Sequence, residues 1–354
     1  GRLPLTCTST MNSNRPRLQM KPLAVMLALD LPPREYLLTP WLRQGDSAML
    51  YAPTGAGKSI FTLALALAIA GGGRFLGWEA SKPRKVLYID GEMPEADIID
   101  RARMLLPTIE GCNEEQAASN LVFLARQAQH MDAEFPDLAT PAGQDDVLKR
   151  ATSGEFELLI LDNFSTLAEC EDENAAGAFN GIVRFLMRAK QGSLACILIH
   201  HSNKNGSDYR GSSKLATTFE VLIGLAKTSK VLPKGALGFD LSWQKYRHRR
   251  EDSTRNRTVW LAEDEAGRSG WGFETSEREE LAELVEAVKS LRYATQGELA
   301  LALGISQGEL SKRKGRATTA LKLITPDEWA DCIAAAKKLR EGEPEEEGNA
   351  KPDF

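Results

Sequence analysis

The chain has 354 residues, of which 42% are hydrophobic and 26% are charged, and its formal net charge is -5 at pH 7. A chain of this length and composition is typical of a globular protein with one large domain or two smaller ones. No apolar run reaches the roughly 20 uncharged residues that cross a bilayer, and the acidic balance argues against a surface that is basic throughout.

Neither the start of the chain nor its cysteines suggest a secreted protein. Residues 1–20 are polar and lack helical periodicity, so we expect a disordered leader there. The five cysteines lie far apart without a C-x-x-C pair, which predicts neither a disulfide framework nor a zinc site. A reducing cytoplasm fits this pattern best.

Short β-rich runs alternate with helical stretches from about Tyr36 to Leu261, which predicts an α/β fold with a mainly parallel central sheet flanked by helices. The predicted strands are Ser47–Tyr51, Lys85–Ile89, Leu121–Leu124, Leu158–Leu161, Cys196–Ile199 and Val221–Leu225, with Gly238–Gln244 and Arg257–Leu261 as an antiparallel extension. The predicted helices are Phe61–Ala70, Ala96–Leu105, Pro141–Thr152 and Ala175–Lys190. Because the runs LLILD and ACILIH are almost wholly apolar, we expect their strands to be covered on both faces, with ligands at the carboxyl ends.

A phosphate-binding loop is predicted between the first strand and its helix, where the sequence reads APTGAGKS. This segment fits G-x-x-x-x-G-K-[ST], except that Ala52 replaces the first glycine at a position that mainly needs a small side chain. Lys58 would neutralise the β and γ oxygens of ATP, and Ser59 would bind Mg²⁺. The residues predicted to bind ATP are Ala52, Pro53, Thr54, Gly55, Ala56, Gly57, Lys58, Ser59 and Ile60. A glycine-rich turn that only joins a strand to a helix is the alternative.

Two acidic residues at strand ends are candidates for metal binding and catalysis. Asp162 closes the apolar strand LLILD, where it is predicted to hold Mg²⁺ through water from across the site. A simple turn residue is the alternative at that position. Glu92 follows the strand in VLYIDGEMP, where a carboxylate is placed to activate the attacking water as a general base. The alternative for Glu92 is a cap of the helix that begins near Pro94.

Five segments between roughly Leu31 and Leu261 carry a family resemblance: PPREYLLTPWLRQGD, VLYIDGEMP, LLILDNFSTL, ILIHHSNKNG and YRGSSK. Together they resemble the RecA-like P-loop ATPases, and among these the hexameric replicative helicases of the plasmid RepA type and their relatives in prophages and other mobile elements. The resemblance implies a RecA-like fold, with Glu92 as the catalytic base and Asp162 as the aspartate that holds the metal.

The resemblance also implies roles for a histidine pair and for the polar segment after it. His200 and His201 look like the element that senses the γ-phosphate, with His201 as the preferred sensor and a structural histidine as the alternative. In relatives, a loop after this strand faces the central channel of a ring. Lys204 and Arg210 are therefore expected to contact phosphates of single-stranded DNA, while a surface loop without a ligand is the alternative.

A pair of cations later in the chain resembles another device of RecA-like helicases, which often supply a Lys-x-Arg pair across the subunit interface. Lys245 and Arg247 in SWQKYRHRRED match that pattern. Such cations stabilise charge that develops on the γ-phosphate and contribute several orders of magnitude in rate. A solvated basic hairpin is the alternative.

The C-terminal part lies outside the resemblance and predicts a small helical unit. Three of its helices are expected to open with capping boxes at Thr295, Ser306 and Thr325. The segment TQGELALALGISQGELSKRKGRA is typical of a helix-turn-helix or winged-helix-like unit. Its inward-facing residues are predicted to be Leu299, Ala300, Leu303, Ile305 and Leu310. The second helix would offer Lys312 and Arg313 to DNA, and a protein-docking unit is the alternative.

These interpretations divide the chain into a leader (1–20), a RecA-like ATPase domain (21–275), a helical domain (276–340) and a disordered acidic tail (341–354). The predicted function is an ATP-dependent DNA helicase or translocase in the replication of a plasmid, prophage or other mobile element. We expect a cytoplasmic homo-hexamer that hydrolyses ATP with Mg²⁺ between subunits, with a replication initiator or primase as partner proteins. The alternatives are an ATP-controlled initiator or regulator without unwinding activity, and a small-molecule P-loop kinase.

Overall fold

The computed structural model describes residues 18–168, 178–202, 217–248 and 251–341. By its contacts the chain divides into two compact units, Gly1–Arg34 and Glu35–Phe354. In the described part of the first unit, the short helix α1 (Leu23–Leu27) has no buried residue.

A large sheet forms the centre of the second unit. The strands are β1 (Tyr36–Leu38), β2 (Leu42–Arg43), β3 (Ser47–Ala52), β4 (Arg74–Phe75), β5 (Trp78–Glu79), β6 (Val86–Asp90), β7 (Leu121–Ala125), β8 (Leu158–Asp162), β9 (Ala195–His201), β10 (Val221–Lys227), β11 (Leu237–Tyr246), β12 (Arg257–Glu263) and β13 (Ser269–Thr275). The nine-stranded sheet has the order β13-β12-β11-β10-β3-β9-β8-β6-β7. Its strands run parallel from β10 to β7. The strands from β10 to β13 pair antiparallel and extend the sheet on one side.

Helices cover both faces of the parallel part of this sheet. They are α2 (Lys58–Gly71), α3 (Glu95–Leu105), α4 (Glu114–Asn120), α5 (Pro141–Ser153), α6 (Phe164–Leu167) and α7 (Ala178–Gln191). The apolar helix α2 packs on one face in a cluster with Leu50, while α5, α6 and α7 pack on the other face in a cluster with Met49. Neighbouring residues of one strand thus pack into two separate hydrophobic cores, which explains why the strand sequences are continuous apolar runs.

The prediction of an α/β fold with a mainly parallel sheet is confirmed, and every predicted strand is present within about two residues of its expected bounds. The antiparallel pairing of the last two predicted strands is also confirmed. Strand β13 was not predicted, because it contains two glycines and is half exposed. A side chain on Gly272 would lie 2.4 Å from the ring of Trp260 on β12, so this glycine permits the close pairing of the two strands.

The predicted C-terminal helices are present as α8 (Glu277–Lys289), α9 (Gln296–Ala302), α10 (Gln307–Gly315) and α11 (Pro326–Glu341). The capping side chains of Thr295, Ser306 and Thr325 accept hydrogen bonds from the backbone three residues later. Leu299, Ala300 and Leu310 are buried together, and Ile305 packs against them. Leu303 is 38% exposed, so its predicted inward position is wrong. It is the last residue before Gly304, where the chain turns out of α9.

No helix in the described ranges is both long and apolar enough to span a membrane.

Candidate nucleotide-binding site

The predicted phosphate-binding loop connects the carboxyl end of β3 to the first turn of α2. Gly55 and Gly57 have φ angles of 78° and 89°, a left-handed backbone conformation that glycine adopts without strain. A side chain on Gly57 would also lie only 3.3 Å from the Leu237 side chain. Thr54 and Gly55 form the exposed tip of the loop, and Ile60 lies in the first turn of α2. The glycines therefore allow a tight curl that turns backbone N–H groups toward the space in front of α2.

Lys58 is buried at the start of α2, and its ammonium group points back into the loop. Its Nζ donates hydrogen bonds to the carbonyl oxygens of Ala52 and Pro53 at 3.2 and 3.1 Å, and lies 3.4 Å from Nδ1 of His201. Burial lowers the pKa of Lys58, against the opposing effect of Asp162 and then Glu92. The chain thus holds a cation in a narrow space among neutral carbonyls, where an anion such as phosphate would be stabilised.

Asp162 ends β8 and is almost fully buried beside the start of α2. Its Oδ2 accepts a hydrogen bond of 2.6 Å from the Tyr88 hydroxyl, and its carboxylate also accepts one from Ser59. Burial raises the pKa of Asp162 to about 6, with further increases from Asp90 and Glu92, although Tyr88 and Ser59 act in the other direction. A carboxylate whose nearest partners are neutral donors and other acids is an unfavourable place for a negative charge unless a cation binds.

Ser59 and Asp162 are distant in the sequence and meet here because β8 and the start of α2 share the carboxyl edge of the sheet. A hydroxyl and a carboxylate are ligand types that Mg²⁺ accepts, either directly or through water. The donor set therefore fits a Mg²⁺ ion that is shared with the phosphates of a nucleotide.

Glu92 is exposed at the same edge, two residues beyond the end of β6. The turn that carries it is fixed by Asp90, whose Oδ1 accepts hydrogen bonds from the backbone N–H groups of Glu92 and Met93 at 2.9 and 2.6 Å. Burial raises the pKa of Asp90, against these two hydrogen bonds. The alternative that Glu92 caps a helix is wrong, since α3 begins at Glu95, has Pro94 at its N-cap and receives no capping bond from a side chain. The Glu92 carboxylate is free of a capping role and faces solvent near Lys58.

The two histidines at the end of β9 point to opposite sides. His200 is fully buried and packs edge to face on Phe164 with the ring centroids 5.4 Å apart. His201 is partly exposed and lies against Lys58. Of the two histidines, only His201 therefore lies beside the predicted phosphate site. It is also the histidine preferred as the sensor in the sequence analysis, and that role stays a prediction.

Lys245 and Arg247 lie at the other end of the sheet. Lys245 pairs with Leu222, which in turn pairs with Met49 near the start of β3. Arg247 follows two residues beyond, which places it about 16 Å from the level of Ala52 at roughly 3.3 Å per residue. Neither side chain contributes to the phosphate site of its own chain.

Both cations are held at the amino edge of the sheet by the same backbone carbonyl. Lys245 Nζ and Arg247 Nη2 donate to the Thr217 oxygen at 3.2 and 2.8 Å. Arg247 also lies 3.7 Å from Oε1 of Glu220, which is hydrogen-bonded to Lys190 at 2.5 Å and accepts the N–H of Ser47 at 2.9 Å. Burial and then Arg247 lower the pKa of Lys245. The two cations thus lie side by side at the amino edge, with Glu220 as a neighbouring anion.

A family model described as an AAA domain matches residues 14–207, which is more than half of the chain. The chain belongs to this AAA domain family. Among solved structures, a KaiC-like protein from the hyperthermophilic archaeon Pyrococcus horikoshii OT3 is 12% identical, with a TM-score of 0.47 over 68% of this chain and 99% of that chain. The RadB recombinase is 16% identical, with a TM-score of 0.41 over 64% of this chain and 90% of that chain.

The family membership confirms the coarser part of the resemblance, a P-loop domain of the AAA family, and the structure has the mainly parallel sheet with a P-loop between β3 and α2 that the resemblance implies. The plasmid RepA-type subfamily stays a prediction, as do the roles of the individual site residues.

The predicted DNA contacts divide into two groups. Lys204 and Arg210 lie outside the described residues. Lys312 is exposed on α10, whereas Arg313 is hydrogen-bonded to Glu309 at 3.0 Å, and the Lys314 ammonium lies 5.4 Å from the ring centre of Trp329. Internal partners therefore occupy part of the positive charge of this helix.

The arrangement at the carboxyl edge is suited to nucleotide hydrolysis. ATP bound with Mg²⁺ would supply the phosphoanhydride bond that is broken. Backbone N–H groups of the loop and the Lys58 ammonium are placed to hold phosphate oxygens, and Ser59 with Asp162 to hold the metal. Glu92 is placed to accept a proton from water, and His201 lies where it would respond to a change beside Lys58. Sequence reasoning missed Tyr88 and Asp90, although a tyrosine within a fully apolar strand and an Asp-Gly turn are both signals for them.

Proposed function

We propose that this AAA domain protein is an ATP-driven DNA translocase or helicase that works as a homo-hexameric ring in the replication of a plasmid, prophage or other mobile element. The observation that carries the proposal is the separation of Lys245 and Arg247 from the P-loop of their own chain. At roughly 3.3 Å per residue, the backbone of Lys245 lies about 10 Å and that of Arg247 about 16 Å below the level of Ala52, so these cations would act on a γ-phosphate of another copy of the chain.

The way in which these cations are held supports a role between subunits. Both donate to the neutral carbonyl oxygen of Thr217, a hydrogen-bond acceptor that a phosphate oxygen could replace. Glu220 is engaged mainly by Lys190 and the Ser47 backbone, and its contact with Arg247 is the longer one at 3.7 Å. Arg247 is exposed, and its guanidinium can therefore exchange these partners for phosphate oxygens of a neighbouring subunit.

The same position links the cations to the proposed DNA-binding residues. Thr217 is the first described residue after the segment that contains Lys204 and Arg210. Because Thr217 follows that segment in the chain, a change in its hydrogen bonds with Lys245 and Arg247 would act at the point where the segment ends. This connection supports coupling between ATP hydrolysis in one subunit and the grip on single-stranded DNA in the next.

The second candidate is an ATP-controlled initiator or regulator that binds duplex DNA without unwinding it. The observation in its favour is the helix-turn-helix arrangement of α9 and α10 with Lys312 exposed on the second helix. The partial neutralisation of this helix by Glu309 and its contact with Trp329 favour the translocase.

The proposal is tested by measuring ATP hydrolysis with and without single-stranded DNA, together with the mass of the assembly by light scattering. We expect a ring-sized assembly, strong stimulation by single strands, and loss of hydrolysis to near background in Lys58→Ala. Lys289→Ala, the same change at an exposed position of α8, is the matched control and should behave as wild type. A monomer that hydrolyses ATP equally with and without single strands, and that prefers a particular duplex, would contradict the translocase and support the regulator.

A further inference from the structure

Tyr88 is a fully buried side chain whose only polar atom is directed at the predicted metal site. It lies in the middle of β6, is 1% exposed, and its hydroxyl donates to Oδ2 of Asp162 at 2.6 Å. In the sheet, Tyr88 is the direct neighbour of Ile160 on β8, so Asp162 is its diagonal neighbour on the same face. The hydrogen bond therefore joins adjacent strands just below the carboxyl edge.

The ring of Tyr88 has little freedom to move. On the side away from β8 it stacks on Phe123 of β7, with the ring centroids 5.0 Å apart and an interplanar angle of 29°. Phe123 is also its direct partner in the pairing of β6 with β7. The phenol is thus held between two strands, and the position of its hydroxyl is set by packing rather than by the hydrogen bond itself.

A rigid donor on one oxygen of a carboxylate fixes the orientation of the whole group. With Oδ2 held by Tyr88 and a second hydrogen bond accepted from Ser59, the Asp162 carboxylate is oriented between β6 and the start of α2. Metal ligands in proteins are commonly oriented in this way by a neighbour that does not touch the metal.

We propose that Tyr88 is a positioning residue for the metal site: its hydroxyl holds the Asp162 carboxylate in the orientation that receives Mg²⁺ beside Ser59. Tyr88 acts in this way only if Asp162 holds Mg²⁺, so the inference rests on the proposed role of Asp162. It predicts an effect on the metal requirement of nucleotide binding, with little effect on the contacts that Lys58 and the loop make with phosphates.

The experiment measures binding of a fluorescent ADP analogue to the full chain, first in EDTA and then in a titration with Mg²⁺. Tyr88→Phe keeps the ring and its stacking on Phe123 but removes the hydroxyl. We expect nucleotide affinity in EDTA to stay within about twofold of wild type, and the Mg²⁺ concentration for half-maximal effect to rise about tenfold. Tyr36→Phe, which removes a tyrosine hydroxyl from β1, is the control and should leave the titration unchanged.

Asp162→Asn separates failure of the inference from failure of the underlying role. If Asp162→Asn loses the response to Mg²⁺ while Tyr88→Phe titrates as wild type, the inference about Tyr88 is overturned and the role of Asp162 stands. If Asp162→Asn itself responds to Mg²⁺ as wild type does, both are overturned.

A double mutant covers the case in which Tyr88→Phe also weakens binding in EDTA. Tyr88→Phe is then compared in the wild-type and Asp162→Asn backgrounds. A loss that is equally large in both backgrounds means that Tyr88 acts through packing alone, and it overturns the inference. A loss that disappears in the Asp162→Asn background shows that the hydroxyl acts through the carboxylate.

Discussion

Two buried carboxylates at opposite edges of the central sheet show how differently this protein treats negative charge. Asp162 at the carboxyl edge is bonded to the neutral hydroxyls of Tyr88 and Ser59, and burial raises its pKa to about 6. Glu220 at the amino edge is bonded to the Lys190 ammonium and the Ser47 N–H. Burial by itself would raise the pKa of Glu220, but these partners outweigh it and the pKa is lowered.

The opposite pKa changes of these two carboxylates indicate that the carboxyl edge is the one suited to bind a ligand. A buried anion that is hydrogen-bonded to a cation is compensated within the fold, whereas Asp162 is hydrogen-bonded to neutral donors, has only the Coulombic attraction of Lys58, and would gain a direct cationic partner from Mg²⁺. The amino edge is thus a structural ion-pair network that also carries two cations, Lys245 and Arg247. At the carboxyl edge, Mg²⁺ would neutralise the buried Asp162 carboxylate, and phosphate would neutralise the buried Lys58 ammonium.

The largest effect is expected at the amino edge, from Arg247→Ala. If Arg247 completes the site of a neighbouring subunit, hydrolysis should fall by about 10³-fold while nucleotide binding stays close to wild type. Steady-state hydrolysis and fluorescent nucleotide binding measure the two quantities. Arg268→Ala, in the exposed turn between β12 and β13, is the matched control.

Mixing subunits decides whether Arg247 acts in trans. Arg247→Ala keeps an intact P-loop, and Lys58→Ala keeps an intact Arg247, so interfaces that combine the two would be complete. We expect a mixture of the two inactive variants to regain hydrolysis. A mixture that stays inactive, although light scattering shows mixed assemblies, would mean that Arg247 serves its own chain.

At the carboxyl edge, Glu92→Gln is expected to reduce hydrolysis by about 10²-fold, because the amide cannot accept a proton from water. Nucleotide and Mg²⁺ binding should be unchanged, since Glu92 belongs neither to the loop nor to the metal ligands. Glu95→Gln, an exposed residue in the first turn of α3, is the control. A fall in nucleotide affinity as large as the fall in rate would argue against a role in proton transfer.

The comparison also predicts opposite effects on folding stability. Because the pKa of Asp162 is raised from 3.8 to about 6 in the folded protein, the nucleotide-free protein should lose stability as the pH rises from about 4 to 6. This rise in pKa corresponds to a loss of about 3 kcal/mol in the free energy of unfolding at neutral pH. Asp162→Asn should therefore unfold at higher urea concentration than wild type at pH 8 in EDTA, with the difference vanishing near pH 4. A variant that is less stable at pH 8 would contradict this account of the site.

Glu220→Gln should lower folding stability, the reverse of Asp162→Asn, and its effect should be the smallest of those predicted. It leaves the Lys190 ammonium without its anionic partner, so the free energy of unfolding should fall by about 2 kcal/mol at neutral pH. Since the pKa of Glu220 is lowered, its contribution is present above its unfolded pKa and is lost as the pH falls through the folded value. Urea denaturation at pH 7 and pH 4 measures this, and Glu155→Gln, whose partner Lys85 is exposed, is the control. Equal losses for both variants at pH 7 would show that the network adds nothing beyond a surface pair.

Local patterns were sufficient to predict much of the fold and part of the site. The runs LLILD and ACILIH predicted buried parallel strands, because residues that alternate between two covered faces must all be apolar. APTGAGKS predicted the loop because its glycines and lysine are required at fixed spacing by a short turn. Strand β13 escaped prediction because its pairing depends on the close approach of Gly272 to Trp260, which no local pattern carries.

The sequence by itself determined that a P-loop joins a strand to a helix, and that acidic residues follow two other strands. Chain order sets these features, because turns and caps depend on residues a few positions apart. The tertiary structure decided that Tyr88 and Ser59 meet at Asp162, that only one of the two histidines faces Lys58, and that Lys245 and Arg247 lie at the far edge of the sheet. Such contacts depend on the order in which strands lie side by side, and a crossover connection places residues together whatever their separation along the chain.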